Sequence, residues 1–283
     1  MSHWWGEPVL SMIKCLKRNA LDRGLDHDSP FWICAYANNQ WTLGGEISAD
    51  PSDSSFHRAM RICEGTVSIV DEKCETYKRS WCLYELFISS SHNGGDYKLD
   101  MYTECEYENH WGEKFDAVGI TDGFIKSDKE STGYKKKREK YFPLDRVKKA
   151  LHLDVTKSFV SQQDDLKHIK NAITGQQPID AIPLDTHQGY DELNNYLRGR
   201  FLNNSFVKLL QEDNNNNNNI IINYCEILKK SSIKQLIWNI DKNNINNIQI
   251  VSESLPEDIH QIILSLNYLF LSGDEDIIFD SIF

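Results

Sequence analysis

An α/β domain built on a parallel sheet is the fold class that residues 1–187 predict, and three observations carry it. Short runs rich in β-branched or aromatic residues are of strand length. Segments of helical period alternate with them, and the joints are rich in Asn, Gly, Ser and Pro. At 283 residues the chain has room for one ordinary domain and a smaller one.

The elements follow in order. "EPVLSMIKCLKRNALDRG" (7–24) sets Val9, Leu10, Ile13, Leu16 and Ala20 at helical spacing, with Pro8 near the first turn and Gly24 as a stop. "FWICAY" (31–36) is a continuous apolar and aromatic run that predicts a strand. The joint 37–55 is long for a compact domain, and loops of that length are often functional. "SSFHRAMRIC" predicts a short helix opened by a serine cap, "GTVSIVD" (65–71) a strand, and "TYKRSWCLYELFISSS" (76–91) a helix. On that helix Tyr77, Trp81, Tyr84, Leu86 and Ile88 fall largely on one side. "YKLDMYT" (97–103) predicts a strand, and a further helix and short strand are expected near Ala150–Val155. "SQQDDLKHIKNAITG" (161–175) opens on a Ser–Asp capping pattern and closes on Gly. Residues 188–212 form a helical extension, with Leu193, Leu197, Phe201, Phe206, Leu209 and Leu210 inward.

Residues 213–220, "DNNNNNNI", have nothing to bury and predict a linker. In the segment 221–283, "IKQLIWNI" (233–240) and "IHQIILSL" (259–266) align at a spacing of 26 residues. That period lies in the leucine-rich-repeat range, although two unrelated amphipathic helices would give the same pattern.

Composition excludes several classes. The net charge of −11 argues against a nucleic-acid partner, and the basic stretch "YKKKREK" (134–140) predicts a solvated face. Seven cysteines without a CxxC pair indicate reduced thiols in a cytoplasmic compartment, and no spacing supports a metal site. No apolar run is long enough for a membrane span.

The strand–helix pair "TVSIVD…YKRSWCLYEL" resembles the third strand and following helix of a Toll/interleukin-1 receptor (TIR) domain, whose helix carries a Trp-Cys-x-x-Glu-Leu segment. "SHWWGEPVLSMIKCLKRNA" resembles the turn after the first TIR strand plus the first helix, and "FWICAYANNQW" the second strand and its loop. The resemblance covers roughly residues 2–175, and only residues 81–86 are specific. The chain is also similar to divergent protist and algal proteins in which a TIR-like module precedes leucine-rich repeats.

The resemblance implies a flavodoxin-like sheet of strand order 2-1-3-4-5 with flanking helices. The chain starts at Met1-Ser2-His3, where the central first strand should be ending. A shortened first strand is therefore expected, the alternative being a stub made by the first few residues. The resemblance also implies homotypic self-association, with the repeat segment offering a surface for a protein ligand.

Some TIR domains cleave the nicotinamide–ribose bond of NAD+ with one glutamate, matched here by Glu85. The chemistry is self-consistent. Nicotinamide leaves as a neutral molecule and needs no general acid, so one carboxylate that stabilises the oxocarbenium-like ribose suffices. NAD+ is then a substrate, and no cofactor is implied. Ligand is expected at the carboxyl edge of a parallel sheet. Trp4, Trp5 and Trp41 lie on loops suited to hold flat rings, with Trp81, Cys82 and His3 beside Glu85. Packing roles for Trp81 and Cys82, a structural His3, and pairing of Glu85 with Lys78 or Arg79 are the alternatives. A TIR-like interaction module without enzymatic activity fits the same residues.

Overall fold

A computed structural model describes residues 1–39, 50–91, 97–109, 111–212 and 218–231, with the dipeptides 235–236 and 281–282. The chain divides into two compact units, Met1–Asn194 and Asn195–Phe283.

The first unit is organised on a three-stranded sheet of order β1 (Gly65–Ile69), β2 (Lys98–Glu108), β3 (Lys114–Ile120). β1 and β2 are parallel, Gly65 opposite Lys98 and Ile69 opposite Tyr102. Gly65 has to be glycine: a Cβ there would stand 2.5 Å from the Lys98 carbonyl oxygen. β2 and β3 are antiparallel, Met101 opposite Ile120, so the sheet is mixed rather than wholly parallel as expected. The hairpin is what changes it. β3 follows β2 after a short turn, and a connection that short can only return antiparallel.

The outer edge of β1 is met by the chain's first residues. Ser2 lies parallel to Ser68, its N–H donating to Val67 O at 2.8 Å and its carbonyl accepting from Ile69 N–H at 2.9 Å. Ser2 makes one isolated bridge beside β1 and belongs to no strand. The Met1 ammonium donates to the Trp32 carbonyl at 2.8 Å, which places the 31–33 segment beside Met1.

That segment corrects a second expectation. Residues 31–33 belong to no strand, only Ile33 among them has extended dihedral angles, and α2 (Cys34–Ala37) follows at once. The apolar run "FWICAY" is buried locally by Cys34, whereas Tyr36 is 67% exposed, so a strand pattern is absent from its burial.

α1 (Val9–Arg23) covers one face of the sheet, and Gly24, at φ 66°, ends it in the left-handed conformation. Its buried stripe is Met12, Cys15, Leu16 and Asn19, packed with Val67, Ile69, Tyr102 and Ala117. Val9 and Leu10 stay exposed. Polar residues enter the stripe because the sheet offers partners. Asn19 Nδ2 donates to Asp100 Oδ2 at 3.0 Å, Arg23 grips the same carboxylate through Nε and Nη2, and the Tyr102 hydroxyl donates to Asp22 Oδ2 at 2.7 Å.

α3 (Ser55–Met60) is capped by Ser54, whose hydroxyl accepts from His57 N–H, as the serine cap predicts. α4 (Ser80–Ser91) packs on β1 and β2, and Ser80 Oγ is tied to Ser158 Oγ at 2.8 Å. Residues 75–78 form a separate 3₁₀ turn, so the expected helix over 76–91 is broken at Arg79.

α5 (Thr132–Glu139) holds the basic stretch, which is no simple solvated face. Arg138 donates to both Asp128 oxygens, at 3.0 and 2.8 Å, and to Thr121 Oγ1, while Lys135 pairs with the fully buried Glu139 at 2.5 Å. α6 (Leu144–Ala150) is followed by a 3₁₀ turn at Val155–Lys157, where a short strand was expected. Asp154 caps that turn by accepting from Thr156 N–H, a competition that favours a turn over a strand. α7 (Gln163–Thr174) starts after Gln162, without the expected Ser–Asp cap, and stops at Gly175, φ 68°.

α8 (Gln188–Glu212) buries Leu193, Leu197, Phe201, Phe206 and Leu209, as its spacing predicts. α9 (Asn218–Lys230) begins inside the asparagine run, so Asn218–Ile220 are helical rather than linker. It buries Tyr224, Cys225, Ile227 and Leu228. The two repeat-like segments lie outside the described residues except for positions 235 and 236. Among the described residues no helix is long and apolar enough to cross a membrane.

Candidate functional site

Glu85 sits five residues into α4, which runs back along β1. A helix advances about 1.5 Å per residue and a strand about 3.3 Å, so Glu85 lies roughly two strand positions below the carboxyl end of β1. That displacement matters. The pocket that Glu85 lines is bounded by Gly65 and Thr66, the first residues of β1, and opens at the amino end of the strand. The carboxyl-edge position expected from the sequence is not where this pocket lies.

The side chain is buried, with 5% exposure, and makes no ion pair with Lys78 or Arg79. Lys78 pairs instead with Glu75 at 2.7 Å, and Arg79 donates to Ser161 Oγ. Burial pushes the Glu85 carboxyl up to about 7, opposed by the Met1 ammonium and the Ser2 hydroxyl. Burial also drives the neighbouring Cys34 thiol up to about 11, and the Glu85 charge adds to it. Near neutral pH the Cys34 and Cys82 thiols are therefore protonated, and Glu85 titrates in that range.

Aromatic rings wall the pocket. Trp32, Phe56 and Tyr97 line it with Met1, Met60 and Glu85. Trp32 meets Phe56 edge-on at 5.5 Å, and Phe56 stacks on Trp81 at 5.2 Å and 15°. The Tyr97 hydroxyl is 2.7 Å from Thr66 Oγ1, which also accepts from Ser89 Oγ at 2.9 Å. The enclosed volume is about 20 Å³, room for about one water molecule.

The remaining residues singled out from the sequence divide clearly. Trp81 serves as support: it stacks behind Phe56, and its Nε1–H donates to Asp165 Oδ2 at 3.0 Å. Cys82 is buried, its thiol donating to the His3 carbonyl at 3.4 Å and held well above the ordinary thiol range by burial. His3 is buried with Nδ1 unpartnered, and burial, with the Met1 ammonium, lowers it to about 4. A histidine so weakly basic is a poor proton acceptor at neutral pH. Trp4 is half-buried with its N–H donating to Thr76 Oγ1 at 3.2 Å. Trp5 is 58% exposed, and its Nε1–H reaches Cys34 Sγ at 3.2 Å. None of Trp4, Trp5, Trp81, Cys82 or His3 lines the pocket, and Trp41 lies outside the described residues.

Sequence reasoning missed Trp32, Phe56 and Tyr97. A signal was present for Trp32, inside the aromatic run 31–36, but the strand assignment hid it. Phe56 and Tyr97 carry no local pattern, because the pocket joins a loop, a six-residue helix and the residue before β2. Among the described residues no group of three His, Cys, Asp or Glu side chains is placed to hold a metal ion. No protein-family model matches the chain, and no curated protein or solved structure is significantly similar to it.

Proposed function

We propose that this chain is a TIR-like signalling module that hydrolyses NAD+ at the nicotinamide–ribose bond through Glu85. The observation that carries the reading is a carboxyl buried among Trp32, Phe56 and Tyr97, in the helix that follows β1. In the reaction the C1′–N bond breaks with its electron pair going to the pyridinium nitrogen, so nicotinamide departs neutral. The ribose cation faces the Glu85 carboxylate until water adds to C1′ and loses a proton, giving ADP-ribose. Only the ionised carboxyl stabilises that cation. With Glu85 pushed up to about 7, turnover rises with pH through neutrality and fades on the acid side.

A second reading, a TIR-like scaffold that acts through homotypic association alone, is favoured by the pocket volume. About 20 Å³ is far below the roughly 300 Å³ or more of ordinary ligand sites, so turnover requires the wall to open. Nicotinamide release from NAD+ by the purified chain, free and clustered on beads, separates the two. The hydrolase reading expects release that follows the ionisation of Glu85 and disappears in Glu85→Gln with the fold retained. No release in either state, or release unchanged in Glu85→Gln, leaves the scaffold.

A further inference from the structure

Near the carboxyl end of β1, beside the middle of β2, a second carboxyl lies in a setting the Glu85 pocket does not share. Glu7 closes the turn that carries Trp4 and Trp5, its N–H donating to the Trp4 carbonyl at 2.9 Å. That turn is fastened to the loop after β1 by the Trp4 N–H bond to Thr76 Oγ1. The loop in turn is ordered by Asp71, which accepts from Thr76 N–H at 3.2 Å and Lys73 N–H at 3.0 Å. Turn, Thr76 and Asp71 form one continuous chain of bonds.

Glu7 Oε2 is buried and meets no donor. The charged groups facing Glu7 are Asp71 from the loop after β1, Glu104 from β2 and Arg146 from α6, and the Cys15 thiol faces it from α1. The single cation among them favours the ionised carboxyl but makes no hydrogen bond to Glu7 Oε2. Arg146 Nη1 donates to Thr103 Oγ1 and the Glu104 carbonyl, and its Nε, also buried, has no acceptor. The Glu104 carboxylate is itself engaged by Lys14 and the Ser11 hydroxyl of α1. An ionised Glu7 would therefore add a negative charge beside Asp71 and Glu104 with no donor at its buried Oε2 and only Arg146 to offset it.

We propose that Glu7 is a proton-operated latch: protonated, it seats the Trp4–Glu7 turn against the 71–76 loop, and ionised, it is repelled by Asp71 and Glu104 and releases the turn. Burial pushes the Glu7 carboxyl up to about 7, with Asp71 and Glu104 adding to it and Arg146 opposing, so the latch works near neutral pH. The folded state keeps the proton that the unfolded chain surrenders near 4.5, so the latch is closed on the acid side and opens as pH rises through 7.

Two measurements on the full chain test it. Hydrogen exchange of the Trp4 and Thr76 amides, followed by NMR across about pH 6 to 8 and corrected for intrinsic exchange, reads the seating of the turn. Protection is expected to fall several-fold with rising pH in the unaltered chain and in Glu85→Gln, and to stay level in Glu7→Gln. A fall that survives Glu7→Gln, or one abolished by Glu85→Gln, overturns the latch. The Glu7 side-chain carboxyl shift in the unaltered chain supplies the second measurement, which needs no variant to fold. A midpoint near 7 is expected, and one at the ordinary 4.5 overturns the proposal.

Discussion

Replacing Glu85 with glutamine keeps the shape of the side chain and removes its ionisation, so the effect on stability depends on pH. Moving the carboxyl from its ordinary 4.5 to about 7 means the fold binds the neutral form in preference to the charged one. By linkage, a raised carboxyl contributes most favourably below the unfolded value and loses ground as pH climbs through the folded one. Above about pH 8 the ionised side chain costs the fold about 3 kcal/mol, and near about pH 5 under about 1 kcal/mol. Glu85→Gln therefore stabilises the protein more at the alkaline pH, by a difference of about 2.5 kcal/mol. For a unit of this size that corresponds to roughly 5–10 °C in melting temperature.

The glutamine amide can also leave a donor unpaired, at about 1–3 kcal/mol, but that cost is the same at both pH values and cancels. Glu7 titrates identically in both proteins and cancels as well. Urea unfolding of the two proteins at about pH 5 and about pH 8 reads the difference directly. Equal stability changes at the two pH values would refute the burial argument, because a carboxyl that titrates normally carries no such dependence.

Two further outcomes test the framework around the site. Arg138→Ala leaves Asp128 and Glu139 buried beside each other without their shared guanidinium, and unfolding measurements are expected to show a loss of about 3–5 kcal/mol, with Arg138→Lys recovering little because a single ammonium cannot span both carboxylates. Gly65→Ala brings a methyl to 2.5 Å from the Lys98 carbonyl oxygen, so the first pair of the β1–β2 ladder has to separate; a loss of at least about 2 kcal/mol is expected, and an unchanged midpoint would show that the strand starts elsewhere.

The parts of the fold that were legible are those where local chemistry decides. Gly24 and Gly175 end α1 and α7 in left-handed geometry, Ser54 caps α3, and the β-branched run after Gly65 is a strand. What was not legible is decided by partners distant in sequence. The inner face of α1 contains Asn19 and Asp22, which the helical period of apolar residues leaves outside, because Asp100 and Tyr102 wait 80 or so positions away. β3 was missed because its first half, Lys114–Asp116, is exposed or half-exposed and only Ala117–Ile120 reads as buried strand. Glu85 is singled out by the Trp-Cys-x-x-Glu pattern, yet the pattern says nothing of depth along β1, and depth sets the pocket it lines at the strand's amino end.

The two carboxyls pushed up to about 7 share one leading cause, burial, and differ in what acts beside it. Glu85, on α4 and walled by rings, is raised by lost hydration and opposed by the Met1 ammonium and the Ser2 hydroxyl. Glu7, half-buried beside the loop after β1, is raised first by burial, with like charges from Asp71 and Glu104 adding and Arg146 opposing. Charges at a rim are screened by salt over a Debye length of about 8–10 Å, whereas dehydration beneath a helix is not. Raising the ionic strength is therefore expected to lower the Glu7 midpoint only by the part that Asp71 and Glu104 contribute, and not to lower that of Glu85.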